Sequence, residues 1–226
     1  MIRLPLTFLL ALMPCLAAAQ SFDGAYVSAE ALAYSSERDM GQLTYSGGAQ
    51  VSFGPGILAS ADLTFYGFET LEGDASSATL HSAYWITPDT AVGAFLGRDS
   101  SGGSDGAFYG IEGRTSFSVA AIEGFLGQSD GTMTDGLMYG LSGQFSFAGL
   151  EMTAGYAGIG GDDATDHLSL TGAWRLGPGP SLYAEFGTLS GAVDDDYIAL
   201  GIRLGIGQNG GTTFGPRSVF EIAPGL

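Results

Sequence analysis

Tyr197-Ile-Ala-Leu-Gly-Ile-Arg-Leu-Gly-Ile206 decides how the chain is read. Its even positions, Ile198, Leu200, Ile202, Leu204 and Ile206, are all branched aliphatics. Its odd positions, Tyr197, Ala199, Gly201, Arg203 and Gly205, are small or polar. A period of two is the signature of a β-strand with two unlike faces. The length matches the roughly 9–11 residues that a tilted strand needs to cross a bilayer. A transmembrane β-barrel is therefore the hypothesis, and it requires the same pattern around a whole circumference.

The pattern recurs upstream. In 25–35, Ala25, Val27, Ala29, Ala31 and Ala33 oppose Tyr26, Ser28, Glu30 and Tyr34, with Leu32 as an exception. In 42–53, Leu43, Tyr45, Ala49, Val51 and Phe53 oppose Thr44, Ser46, Gly48, Gln50 and Ser52. In 57–68, Ile57, Leu63 and Phe65 share a face against Ser60, Asp62 and Thr64. The segments 78–86, 90–97, 107–116 and 118–127 are weaker matches. In 137–147, Leu137, Tyr139, Leu141, Phe145 and Phe147 oppose Gly140, Ser142, Gln144 and Ser146. The segments 150–159, 167–176 and 181–189 follow, and the opening stretch completes twelve.

The connections between these segments alternate. One set is short and carries Gly, Pro or Phe, as in Gly54-Pro55-Gly56 and Ala148-Gly149. Such residues suit tight reversals. The other set is longer, rich in Ser and Gly, and holds most of the 24 acidic residues. Short turns at one rim and longer loops at the other are what outer-membrane barrels show. An even strand number puts both termini at the short-turn rim, the expected periplasmic side. Phe53, Trp85, Phe117, Phe145, Phe147 and Trp174 fall near the short turns, as an interfacial aromatic girdle would.

Composition agrees. Gly is abundant at 38 of 226 residues, apolar residues make up 45%, and charged residues only 14%. No stretch after residue 19 is long and apolar enough for a membrane helix. The net charge of −17, with no Lys, excludes a nucleic-acid partner, which needs a basic footprint. Residues 1–19 read as a secretory signal: Arg3, an apolar run, then Ala17-Ala18-Ala19. The single cysteine, Cys15, lies within that segment, which leaves 20–226 without disulfide or thiolate chemistry. Residues 207–226, with Pro216, Arg217, Glu221 and Pro224, break the alternation. They read as a tail, either periplasmic or folded into the lumen.

The whole pattern over 20–206 resembles the small porin-like outer-membrane β-barrels of Gram-negative bacteria. One departure is that such barrels usually close on a terminal aromatic, whereas this chain ends Phe220-Glu-Ile-Ala-Pro-Gly-Leu226. The resemblance implies a closed antiparallel barrel in the outer membrane. Its expected partners are membrane lipid, lipopolysaccharide, small solutes and the barrel-assembly machinery. The inward rows would line the lumen with Glu30, Asp62, Glu112, Arg114, Glu123, Glu151, Arg175, Glu185 and Arg203, together with His81. Charge of both signs across a narrow lumen can select small polar solutes or simply pair within the wall. The first reading predicts a channel for small hydrophilic, cation-leaning solutes, with no cofactor. The second predicts a non-conducting barrel that displays acidic loops.

Enzymatic readings find little support. Barrel phospholipases carry a Ser-His-Asn arrangement, yet His81 is followed by Ser82-Ala83 without that run. His167 near Asp163 and Asp166 reads as a surface ion pair at the rim. An autotransporter role lacks room for a passenger before the first strand. Asp162, Asp163, Asp166, Asp194, Asp195 and Asp196 offer oxygen ligands to Ca²⁺ or Mg²⁺, but without the spacing of a calcium loop. They are weak metal candidates.

Overall fold

A computed structural model describes residues 20–36, 41–68, 74–131, 134–161, 164–177, 179–192, 194–207 and 210–224. The expected signal segment 1–19 lies outside the described residues, as do Asp162 and Asp163.

Twelve strands form one closed barrel: β1 (Gln20–Tyr34), β2 (Gly41–Phe53), β3 (Ile57–Phe68), β4 (Ala75–Thr87), β5 (Thr90–Ser101) and β6 (Ser104–Phe117) lead. β7 (Ala120–Gly131), β8 (Gly136–Phe147), β9 (Leu150–Ile159), β10 (Thr165–Arg175), β11 (Ser181–Gly191) and β12 (Asp195–Gly207) follow. Each strand pairs antiparallel with its sequence neighbours, and β1 pairs with β12 to close the ring. Closure satisfies every strand edge, a requirement in hydrocarbon where an unpaired N–H or C=O costs several kcal/mol.

The opening decamer sits in β12 with its aliphatic row outward. Ile198, Leu200 and Ile206 are each more than half exposed, whereas Tyr197 and Ala199 are buried. The register carries the outward row onto the next strand: Ile202 pairs with Ala29 and Leu204 with Val27. Inward residues meet likewise, Arg203 beside Ser28 and Gly201 beside Glu30. A one-residue slip would turn every Ile into the lumen, so the alternation itself fixes the register.

The strands run further toward the long-connection rim than the sequence pattern suggested. Asp99, Asp105, Asp130, Asp166, Asp195 and Asp196 are strand residues and not loop residues. The expected loop at 99–106 is a tight reversal at Gly102-Gly103, both at positive φ. The physical reason is that polar alternation continues a strand above the bilayer, where outward residues no longer need to be apolar. At the other rim, β7 starts at Ala120, so the turn is Ser118-Val119 and not part of the strand. Trp85 departs from the girdle. It faces inward and packs on Leu58, Ala83 and Ala91, while Phe117, Phe145, Phe147 and Trp174 face outward.

The tail folds into the barrel. It leaves β12 at Gly207 (φ 86°), reaches Gly210 (φ 63°), and enters from the short-turn rim. Thr213 N–H donates to Gln50 Oε1 on β2, and Phe214 packs among Leu58, Ala83 and Ala91. Further up, Arg217 lies against Thr79 on β4, and a single-turn helix α1 (Val219–Ile222) packs near the long-connection rim. Phe214, Val219, Phe220, Ile222 and Ala223 are buried. Pro216 and Pro224, which bar these residues from a lipid-facing strand, are compatible with this irregular path.

Candidate lumen site and its closure

Two halves of the lumen differ. On the β3–β7 side, the tail fills the space. On the side running from β8 through β12 to β2, a cavity of about 930 Å³ remains, open toward the short turns.

A continuous polar chain crosses the filled half. The Tyr26 hydroxyl donates to Asp62 Oδ1 at 2.8 Å. His81 stands between two carboxylates, with Nε2 3.3 Å from Asp62 Oδ2 and Nδ1 2.7 Å from Glu112 Oε1. Arg217 of the tail bridges Glu112 (3.1 Å) and Glu123 (2.7 Å). Glu123 also takes Arg114 at 3.0 Å, and Arg114 reaches Gln144 at 2.8 Å. The chain thus runs from β1 to β8 through the tail. Gly48 makes room for its first link, since a Cβ there would meet Asp62 Oδ1 at 2.1 Å. Phe214 stacks on the His81 ring at 6.2 Å and 12°. Buried charges persist only where each has such partners.

Asp99, on β5, anchors the helix. Its carboxylate accepts from Ser218 Oγ and from Val219 N–H, both at 2.8 Å. The Tyr66 hydroxyl donates to Glu221 Oε1 at 3.0 Å. Burial pushes the Glu221 carboxyl up to about 7, with the carboxylate of Glu30 adding to the effect.

The open half is layered by strand register. Nearest the short turns, Arg175, Ser181, Arg203 and Ser28 lie side by side across β10, β11, β12 and β1. One step deeper come Glu151, Ala173, Tyr183, Gly201 and Glu30. Deeper still, Glu185 holds Thr171 Oγ1 and the Tyr197 hydroxyl, both at 2.5 Å. Glu151, Arg175 and Arg203 have no ion-pair partner among the described residues. The Arg203 guanidinium stacks 4.0 Å over Tyr26.

Toward the long-connection rim the lumen turns apolar. Leu32, Tyr197 and Ala199 pack together beside Tyr34. Phe95, Phe108, Met138 and Ile159 close around Val219 and Ile222. A smaller cavity of about 270 Å³ lies between α1 and β8–β10, with His167 and Ser169 on its wall.

The residues expected to line the lumen separate accordingly. Glu30, Arg114, Glu123, Glu151, Arg175, Glu185 and Arg203 border the large cavity. Asp62 and Glu112 are buried beneath the tail. Sequence reasoning passed over Arg217 and Asp99. Arg217 was visible only as a breaker of strand alternation, and Asp99 sat in an expected loop. The signal that exposes Asp99 is parity, because Gly97, Asp99 and Ser101 continue the row of Phe95.

His167 is not a rim ion pair. It faces inward, with Nε2 2.7 Å from the Tyr197 hydroxyl. Asp166 points the other way and accepts from Tyr139 and Tyr156. Adjacent strand residues point to opposite faces, which separates a contiguous Asp-His pair. Asp195 accepts from Ser35 and Ser36, while Asp194 and Asp196 are exposed. Among the described residues, no three His, Cys, Asp or Glu side chains converge as metal ligands.

No protein-family profile and no curated protein sequence matches the chain. Solved structures do. The KdgM porin superposes with a TM-score of 0.64 at 9% identity, covering 79% of this chain and 97% of the porin. The NanC porin gives 0.59 at 8% identity, with coverages of 78% and 98%. Outer membrane phospholipase A from Escherichia coli gives 0.57 at 11% identity, with 80% and 96%. At such identities the likeness is one of fold, and what it establishes is that this chain has the porin-like architecture of outer-membrane β-barrels.

Proposed function

We propose that the chain is an outer-membrane channel for small hydrophilic solutes, narrowed by its own tail. The observation that carries this reading is the cavity of about 930 Å³ on the β8–β2 side. Its walls hold Glu151, Arg175 and Arg203 without ion-pair partners among the described residues. Unpaired charge on a wall is costly unless water reaches it. A purely structural barrel has no need of that arrangement.

The charge balance supports a preference for cations. Glu30, Glu123, Glu151 and Glu185 border the cavity against Arg114, Arg175 and Arg203. One fold neighbour, the KdgM porin, is solved with disordered oligogalacturonate, an acidic sugar chain. The carboxylate excess here disfavours such a polyanion. The apolar packing at the long-connection rim favours a second reading, a non-conducting barrel. Planar-bilayer recording in a salt gradient tests both. A cation-signed reversal potential is expected. An anion-signed one refutes the preference, and silence from a folded barrel with its tail removed refutes the channel.

A further inference from the structure

We propose that the segment 210–224 is a displaceable plug, and that the polar strip it covers on β2–β5 is the occluded half of the conduction path. The proposal rests on the channel reading above.

The wall beneath the tail is built for water. Gln50, Ser60, Thr64, Ser77, Thr79 and His81 are buried on its inward face, between the apolar seats that the tail fills. Buried polar side chains in such number are uncommon in a permanent core. Ser60 Oγ, Thr64 Oγ1 and Gln42 Oε1 have no hydrogen-bond partner among the described residues. Each such group is destabilising while it stays dry, because it has given up water without gaining a partner. Departure of the tail recovers that cost by hydrating the strip, which lowers the penalty for opening.

The manner of attachment fits a plug. The tail joins no strand ladder of the barrel. Side chains of the wall hold it at separate points: Gln50 at Thr213, Thr79 at Arg217, Asp99 at Ser218 and Val219, and Tyr66 at Glu221. Three apolar seats complete the fit. Phe214 takes one, Phe220 sits against Tyr66 and Ala75, and Val219 with Ile222 takes the third. Gly207 and Gly210, at φ 86° and 63°, adopt the left-handed backbone that a reversal into the lumen demands. None of these bonds is shared with the pairs that close the barrel, so the tail can leave while all twelve strands remain joined.

The decisive experiment compares three forms in planar bilayers, each with barrel closure checked by heat-modifiable gel mobility. The first is the full chain. The second is truncated after Gly207. The third carries Asp99→Cys with Ser218→Cys in a Cys15→Ser background, since the atoms now joined there lie 2.8 Å apart. Truncation is expected to raise mean conductance more than about tenfold, the equivalent of removing some 1.4 kcal/mol of closure. The oxidised pair is expected to stay at the narrowed conductance of the docked tail, and dithiothreitol is expected to restore its larger openings. Equal conductance of the oxidised and reduced pair overturns the plug, whether or not the truncated chain assembles. A truncated barrel that conducts like the full chain also overturns the plug but leaves the channel reading intact. Silence from all three folded forms overturns both.

Discussion

Arg217→Met tests the charge that pins the tail. Arg217 Nη2 lies 3.1 Å from Glu112 Oε2 and 2.7 Å from Glu123 Oε1, and the guanidinium carbon sits 4.5 Å above the Phe125 ring. Methionine keeps the apolar stem and removes the charge. Taking one partner from a buried ion pair costs about 3–5 kcal/mol, because the other is left uncompensated. The lower end applies here. Glu123 keeps Arg114 at 3.0 Å, and Glu112 keeps His81 at 2.7 Å. A loss of roughly 3 kcal/mol corresponds to about a hundredfold greater population of the undocked tail. Hydrogen exchange of a peptide spanning 212–224, in protein held in nanodiscs, reads this directly. The amides of Val219 and Ala223 now donate to Asp99 and to the Val219 carbonyl. They should exchange about two orders of magnitude faster under conditions where opening is at equilibrium. Amides of β1 and β12 should be unchanged. A tail that exchanges within about threefold of wild type, under 0.7 kcal/mol, refutes the claim that Arg217 holds it.

Three further outcomes are expected. Leu200→Arg places a charge on the lipid face of β12 at the middle of the strand and should cost about 2–4 kcal/mol, seen as a lower folded yield on heat-modifiable gels. A yield equal to wild type would reverse the facing assigned to β12. Arg203→Ala removes a cation from the cavity wall and should move the reversal potential toward stronger cation preference, so an unmoved potential takes Arg203 off the solute path. Glu221 supplies the pH dependence. Its carboxyl is raised to about 7 in the docked tail, so docking is strongest below about 4.5 and weakens as pH rises through 7. The groups around it are Glu30, Glu185, Asp99 and Tyr66, with Arg217, Glu123 and His167 on the neighbouring cavity wall. Tail exchange, corrected for intrinsic rate, should quicken between pH 5 and 8 by an order of magnitude or more. Glu221→Gln should flatten that rise, and a Gln variant with the same slope would assign the titration elsewhere.

The barrel is legible in the sequence because lipid demands it. Ile198, Leu200, Ile202 and Leu204 must face hydrocarbon, and no tertiary contact can override that alternation. Closure into twelve strands follows from the same demand, since an open edge in the bilayer is forbidden. The strand ends are less legible. Beyond the bilayer the outward face of β10 or β12 carries Asp166 or Asp196, and a Ser, Gly and Asp-rich stretch reads as loop. In the structure those residues extend the ladders, with the Asp166 carboxylate tied to Tyr139 and Tyr156 across the outer face.

The lumen is legible only as parity. Alternation assigns Glu30, Asp62, Glu112 and Arg203 to the inner wall, but it does not say what each meets there. Partners in a barrel interior come from across the ring or from the tail, far away in sequence. Asp62 and Glu112 converge on His81 only because register aligns Ser60 of β3 with His81 of β4 and Gly93 of β5 with Glu112 of β6. Arg217 enters that cluster from the tail, 105 and 94 residues along the chain from the carboxylates it bridges. Read alone, Pro216-Arg217-Ser218 only ends a pattern. Its meaning arises from a physical requirement on the opposite wall, where buried Glu112 and Glu123 need a cation that lipid cannot supply. Of the seven arginines, Arg3 and Arg38 lie outside the described residues, Arg98 pairs with Asp105 on the exterior, and Arg175 and Arg203 face the open cavity. Among the described carboxylates Arg114 pairs with Glu123, at 3.0 Å, and its other arm goes to Gln144. The tail therefore brings Glu112 its only arginine among the described residues, and this dependence makes docking sensitive to one side chain.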